Sequence, residues 1–419
     1  MVTDIMPITG SVARTADKRF LRVGHLPTLF AAFLYFDLSF MVWVILGPLG
    51  VHIAKDLGLD PAEKGLMVAT PVLAGALLRI IIGVLVDHIG PKWTGGLAQI
   101  VVIGGLLAAW FSGVHAFAET LLVGIVLGVA GASFAVALPL ASRWYPPEHQ
   151  GTALGIAGAG NSGTVLAALF APGLAVVLGW QNVLGLATIP LALAFVAYLA
   201  LAKDSPDRPP AKALADYLKV LRIGDAWWLM FFYSVTFGGF VGLASSLTIY
   251  FNDQYGLSAV VAGYFTAACV FAGSLIRPVG GAVADRLGGV GTLSAVYLVA
   301  AAALAIVSIG LPEAWMALTI FVVAMLALGM GNGAVFQLVP QRFRREIGVM
   351  TGLVGMTGGL GGFYLASSLG YSKQLTGSYQ LGFLVFAGLA ALALCGLTGV
   401  KQRWRKTWGA VAALGAARV

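Results

Sequence analysis

Charge is what this chain has least of. Asp, Glu, Lys and Arg make up 10% of its 419 residues, against about 25% in ordinary globular domains. That scarcity excludes a water-soluble protein. Cysteine is almost missing: Cys269 and Cys395 are the only two, both in apolar runs without metal-ligand spacing, and they read as small packing residues. The five histidines, His25, His52, His88, His115 and His149, fall outside or at the edges of those runs. They form neither a ligand cluster nor a nucleophile–base pair, so no enzyme, no metal and no cofactor is expected. Acid is scarcer than base, with 17 carboxylates against 25 Lys and Arg.

What is abundant is apolar sequence. Hydrophobic residues make up 59% of the chain, with a mean hydropathy of +0.92. Runs of about 20 residues, long enough to cross a bilayer, recur along nearly the whole length. They are continuous rather than alternating, which favours helices over a barrel. Twelve spans are expected, at 27–51, 65–86, 94–114, 118–141, 151–178, 182–202, 226–251, 260–284, 290–311, 314–339, 348–371 and 378–400. The 56 glycines suit close helix packing in lipid.

The net charge of +8 does not point to nucleic acid. With both termini on one side of the membrane, 20 of the 25 basic residues collect on that side, against Lys55, Lys64 and Lys373 on the other. The positive-inside rule makes the basic side cytoplasmic, so the excess is a topology signal. Residues 1–26 are polar and lack an apolar core followed by a cleavage site, so the first span is expected to be retained. The expected organisation is a cytoplasmic tail at 1–26, a six-helix bundle at 27–202 and a cytoplasmic linker at 203–225 rich in proline and charge. A second bundle follows at 226–400 and a tail at 401–419.

The two halves repeat. Gly83-Val-Leu-Val-Asp87-His-Ile-Gly90 returns as Gly281-Ala-Val-Ala-Asp285-Arg-Leu-Gly288, an offset of 198. Gly151-Thr-Ala-Leu-Gly155-Ile-Ala-Gly158 returns as Gly348-Val-Met-Thr-Gly352-Leu-Val-Gly355, an offset of 197. An even number of spans per half makes these parallel repeats, with substrate expected near the midplane between them.

Two arginines stand at equivalent places in that repeat. Arg79 and Arg277 each precede the repeated aspartate by 8 residues, about 12 Å of helix into a core about 30 Å thick. Snorkelling would not span that depth. A buried cation costs at least about 2.5–3.5 kcal/mol and defaults to a functional reading. Asp37 is the one carboxylate expected at comparable depth, so the pair stays under-neutralised and an anion would relieve it. Arginine's planar fork suits a flat oxyanion, and carboxylates fit that description as well. Asp37 aligns with Val235 and breaks the repeat; it reads either as a proton carrier or as a fixed partner of one arginine.

The doubled Gly-x-x-x-Asp-basic-x-Gly motif on twelve spans resembles the major facilitator superfamily, in which Asp87 and Asp285 would lock helix ends. Gly155, Gly158, Gly160 and Gly163 around Asn161 in span 5, and Gly352, Gly355, Gly358, Gly359 and Gly361 in span 11, resemble the two signature motifs of the nitrate/nitrite porter family (NarK type). The resemblance implies alternating-access transport of nitrate and nitrite by an inner-membrane protein, expected to be monomeric. It implies that the glycines let backbone approach the anion and let the helices slide, and that Asn161 supplies an amide near the anion. Phe134 and Phe237 would sandwich the anion while Arg79 and Arg277 hold its edges, with Tyr233 nearby. Ala334 departs from the small hydroxyl residue expected there, and Asn332 and Gln337 read equally as substrate contacts or interhelical bonds. Asp37 favours proton-coupled uptake over nitrate/nitrite exchange. A carrier of organic carboxylates and a non-transporting sensor are the competing readings.

Overall fold

Asp60 accepts the Glu63 backbone N–H at 2.8 Å and Glu63 accepts the Asp60 N–H at 3.0 Å. This capping box, with Pro61 at the first helical position, starts a helix that runs unbroken to Ile89. Gly90 ends it at φ +90°, and its repeat mate Gly288 ends another at φ +91°. Such left-handed joints favour glycine, which lets successive spans reverse without strain.

The computed structural model describes residues 20–206, 214–343 and 346–408. Twelve helices are long and apolar enough to cross a membrane: α1 (Leu26–Leu57), α2 (Pro61–Ile89), α3 (Pro91–Ser112), α4 (Phe117–Ser142), α5 (Thr152–Leu178), α6 (Trp180–Leu201), α7 (Gly224–Tyr255), α8 (Ala259–Leu287), α9 (Gly289–Ser308), α10 (Ala314–Arg342), α11 (Ile347–Thr376) and α12 (Gln380–Lys406). No strand occurs among the described residues. The protein is an all-α, multi-pass membrane protein built as two pseudo-symmetric bundles of six helices.

Several helices outrun the apolar windows that announced them. The first was expected to stop at 51 and reaches Leu57, and the last continues from 400 to Lys406, because polar exit turns stay helical after hydropathy has fallen. The 203–225 stretch contains a short helix, Leu214–Leu221, and its end already belongs to α7. A further turn, Phe20–Val23, lies within the expected N-terminal tail. The remainder of both tails, 207–213 of the linker, and Arg344 and Arg345 lie outside the described residues. Of the cysteines, Cys269 is buried as expected, but Cys395 lies on the outer surface of α12 rather than in the core.

Breaks occur where the site will be. α1 is interrupted at Val44–Ile45, α4 at Ala132–Ser133, α5 by a 3-10 turn at Ala159–Ser162, and α8 at Ile276. Between the bundles, Gly163–Leu178 packs on Ala259–Leu275, Leu46–Leu57 packs on α7, and α2 packs on α11 along its length. The helical segment Pro147–Gly158 leading through the start of α5, and the half of α8 at Arg277–Leu287, pack chiefly within their own bundles. The bundles therefore close at the face away from the termini and part toward the face that carries Phe20 and Trp408.

The α5 glycines divide accordingly. A Cβ on Gly163 would collide with the Asp37 carbonyl of α1, while one on Gly155 or Gly158 would meet open space. Gly163→Ala is therefore expected to lower stability by about 1–3 kcal/mol through overpacking. Gly155→Ala is expected to leave stability unchanged. Thermal melting of both variants in detergent checks the contrast; equal midpoints would refute this packing.

Candidate functional site

Arg79 sits in α2 and is 2% exposed. Its Nη1 donates to the Gly355 carbonyl of α11 at 2.5 Å and its Nη2 to the Gly131 carbonyl of α4 at 2.9 Å. The second acceptor exists because α4 is broken: the Ala135 N–H bonds to Ala132 at 2.9 Å, so the Gly131 carbonyl is free for the arginine. Nε has no partner. The guanidinium carbon lies 5.1 Å from the Phe134 ring centroid and 5.9 Å from that of Phe237.

Arg277 stands at the break of α8, half-buried. Its Nη2 donates to the Tyr233 hydroxyl at 3.4 Å, and Nη1 is buried without a partner. Its guanidinium carbon is 5.9 Å from Phe134 and 5.8 Å from Phe336. The two cations, one from each bundle, thus share a single aromatic ring. Neither forms an ion pair with any carboxylate among the described residues. Aromatic faces supply about 0.5–2 kcal/mol each to such a cation. That falls short of the several kcal/mol required to desolvate it.

Tyr233 and Phe237 stack at 5.2 Å, and Phe336 meets Tyr233 edge-on at 5.0 Å and Phe134 at 5.9 Å. Phe336 was not selected from the sequence. Its signal was helical phase, four residues beyond Asn332 on a glycine-lined helix. Phe134 and Phe237 both flank Arg79, so the structure gathers every aromatic candidate around the arginines.

The α11 glycines serve several neighbours. A Cβ on Gly355 would press on the Arg79 side chain at 3.0 Å, and one on Gly358 would press on Tyr233 at 2.7 Å and Phe237 at 2.9 Å. Gly359 faces Ala76 of α2, and Gly361 faces the Ser234 carbonyl of α7. Gly352 is half-buried. In α5, Gly160 packs on Phe36 and the Asp37 backbone. Asn161 is buried with Oδ1 unpartnered, while its carbonyl accepts Thr164 Oγ1 at 2.7 Å and, from the other bundle, Ser274 Oγ at 3.5 Å.

Asp37, 8% exposed, is not an arginine's partner. Ser162 Oγ lies 2.7 Å from Asp37 Oδ1 and 2.9 Å from the Ala159 carbonyl. A hydroxyl has one proton and two lone pairs. If Asp37 is ionised, Ser162 donates to it; if protonated, Asp37 donates to Ser162, which turns to Ala159. Both protonation states are accommodated without moving a backbone atom.

The loop-motif acids differ from one another. Asp87 pairs with Arg143 at 2.9 Å, tying α2 to the end of α4, while Asp285 is exposed. In the second bundle Asp225 gathers Arg342 Nε at 2.7 Å, Trp404 Nε1 at 2.8 Å and Arg403. Gly83 and Gly281 are half-buried. On the closed face Lys64 pairs with Asp253 at 2.9 Å, and the Tyr379 hydroxyl donates to the same carboxylate at 2.8 Å. This ion pair crosses between the bundles. His25 caps α1 through Thr28 and meets the Trp144 ring at a tilt, 4.9 Å between centroids; burial and nearby Lys203 lower its pKa from the usual imidazole value.

Twelve spans in two like bundles, parted toward one face and joined over a buried basic centre, define a membrane carrier. Residues 28–366 match the Major Facilitator Superfamily profile. The chain is 35% identical over 378 residues to the Mycobacterium tuberculosis (strain H37Rv) protein named "Probable nitrate/nitrite transporter NarK2", covering 87% of this chain and 93% of that one. It is 32% identical to the Bacillus subtilis "Nitrite extrusion protein", covering 84% and 88% of the two chains. To the Thermus thermophilus "Probable nitrate/nitrite antiporter NarK1" it is 30% identical, covering 89% and 90%. A bacterial homologue of the human lysosomal transporter Spinster, solved in an inward-facing, unoccupied conformation, superposes with a TM-score of 0.69 at 17% identity, covering 93% of this chain and 98% of that one. The chain belongs to the major facilitator superfamily and, within it, to the nitrate/nitrite porter family.

Proposed function

We propose that this protein carries nitrate, and nitrite as a second cargo, across the cytoplasmic membrane by alternating access, with both termini in the cytoplasm. The observation that carries the reading is the pair of buried guanidinium groups, one per bundle, sharing the Phe134 ring with no carboxylate between them. A planar monovalent anion supplies the missing charge and fits between flat rings. Its arrival screens the two cations and allows the bundles to rock. The names of the relatives support the cargo.

Asp37 makes the reading more specific. Nitrate entering a cell with a negative interior works against about 2.3 kcal/mol per 100 mV for each charge, so uptake needs an energy source. Asp37, held by a hydroxyl that serves both protonation states, takes up a proton with the anion and releases it inside. The transporting unit is the single chain. Flux into proteoliposomes under an imposed proton gradient, with and without nitrite inside, tests this. Nitrate accumulation driven by the proton gradient alone is expected. Uptake that requires internal nitrite makes the protein an exchanger, and competition by lactate or formate as strong as by nitrite makes it a carboxylate carrier.

A further inference from the structure

Resting on that reading, we infer that Trp43 positions Arg79 for cargo, acting through the Gly131 carbonyl that the arginine holds. Trp43 is the last residue of the first half of α1, Leu26–Trp43, just before that helix breaks. It is fully buried, and its indole Nε1 donates to the Pro71 carbonyl of α2 at 2.7 Å. A buried tryptophan with a satisfied N–H is ordinarily a core residue. The neighbours of this one give it more to do.

The indole fills a notch between α2 and α4 that two glycines leave open. A Cβ on Gly75 of α2 would press on Trp43 Nε1 at 2.9 Å and on the Gly131 Cα of α4 at 3.2 Å. One on Gly131 would run into the indole itself. Gly75 is one turn before Arg79 on the same face of α2, so the arginine leaves its helix immediately beyond this junction. Gly131 is the residue whose carbonyl accepts Arg79 Nη2 at 2.9 Å. The spacing of α2 and α4 at the indole therefore sets where that carbonyl stands relative to the arginine.

The carbonyl in turn decides the pose of the guanidinium. With Nη1 on Gly355 and Nη2 on Gly131, the fork is pinned at two corners and Nε is left as the unpartnered donor. A planar group held that way presents its third donor in one direction. If α4 drifts from α2, the plane turns and Nε no longer meets the anion at the angle a hydrogen bond needs. Because α4 breaks just after Gly131, its own helix does little to hold that carbonyl. Trp43 does so from outside: one N–H ties the ring to α2 while the ring bears on Gly131.

The test is the kinetics of labelled nitrate entry into proteoliposomes holding the full-length protein. Unaltered protein must show saturable entry; failure there removes the functional reading itself. Trp43→Phe keeps a ring in the notch and removes the N–H. Its KM for nitrate is expected to rise about fivefold, the loss of one neutral hydrogen bond, with the maximal rate per folded molecule within about twofold. A residue that only supports packing would lower the maximal rate by shrinking the active fraction and leave KM where it was. Should Trp43→Phe fail to fold, Gly75→Ala, which keeps the indole and pushes on it from α2, is read for the same split. An unchanged KM in the variant that folds, or a fall in maximal rate alone, overturns the assignment and makes Trp43 a packing residue.

Discussion

Arg79→Lys is expected to lower nitrate uptake at least about 100-fold, although the charge is kept. Arg79 engages two carbonyls on two different helices, Gly131 of α4 and Gly355 of α11, at once. Only a planar fork reaches both while keeping Nε free for cargo; a lysine ammonium is a point charge that must choose. Lysine thus forfeits one carbonyl bond and the Nε bond to cargo, each worth about 1.5–3 kcal/mol for a charged group, which converts to at least about two orders of magnitude. Arg277→Lys loses the Tyr233 contact and the unpartnered Nη1, and the same outcome is expected. Initial rates of labelled nitrate entry, with monodispersity on a sizing column as the folding control, decide it. Near-normal uptake by either variant would show that charge alone suffices.

Asp37→Asn is expected to abolish accumulation driven by a proton gradient while leaving nitrate counterflow measurable. Asparagine keeps the size and the contact with Ser162 but is permanently neutral. It mimics the loaded form and cannot cycle. Concentrative uptake equal to that of the unaltered protein would remove Asp37 from coupling. Loss of counterflow together with accumulation would mean instead that Asp37 is needed for folding or binding.

The bundle architecture was legible because lipid leaves few choices: a run of about 20 apolar residues in a repeated register can only be a spanning helix. The arginines were legible for a related reason, since a buried cation is costly and two at one offset are not accidental. What escaped was anything set by a break in a helix. The Gly131 carbonyl becomes an acceptor only because α4 breaks just after Gly131, and nothing in Gly131-Ala-Ser-Phe134 announces that. Asp37 read as a possible partner of an arginine because depth along a helix was countable and azimuth was not; it faces α5 and Ser162 instead. Phe336 was overlooked for the same reason, because aromatic residues in spans are common and only the fold reveals which ones face the centre. The α11 glycines were credited with letting backbone approach the anion and letting the helices slide; which of them abut a neighbouring helix, such as Gly359 at Ala76 and Gly361 at Ser234, only the fold shows.

Lys64 and Asp253, with Tyr379 beside them, fasten the closed face. Such a partly wetted clasp is worth no more than about 1 kcal/mol. A contact that slight does not by itself hold the two bundles together at that face. Deeper in, two guanidinium groups from opposite bundles share the Phe134 ring without a carboxylate between them, and on the proposed function their mutual repulsion is what an anionic cargo relieves.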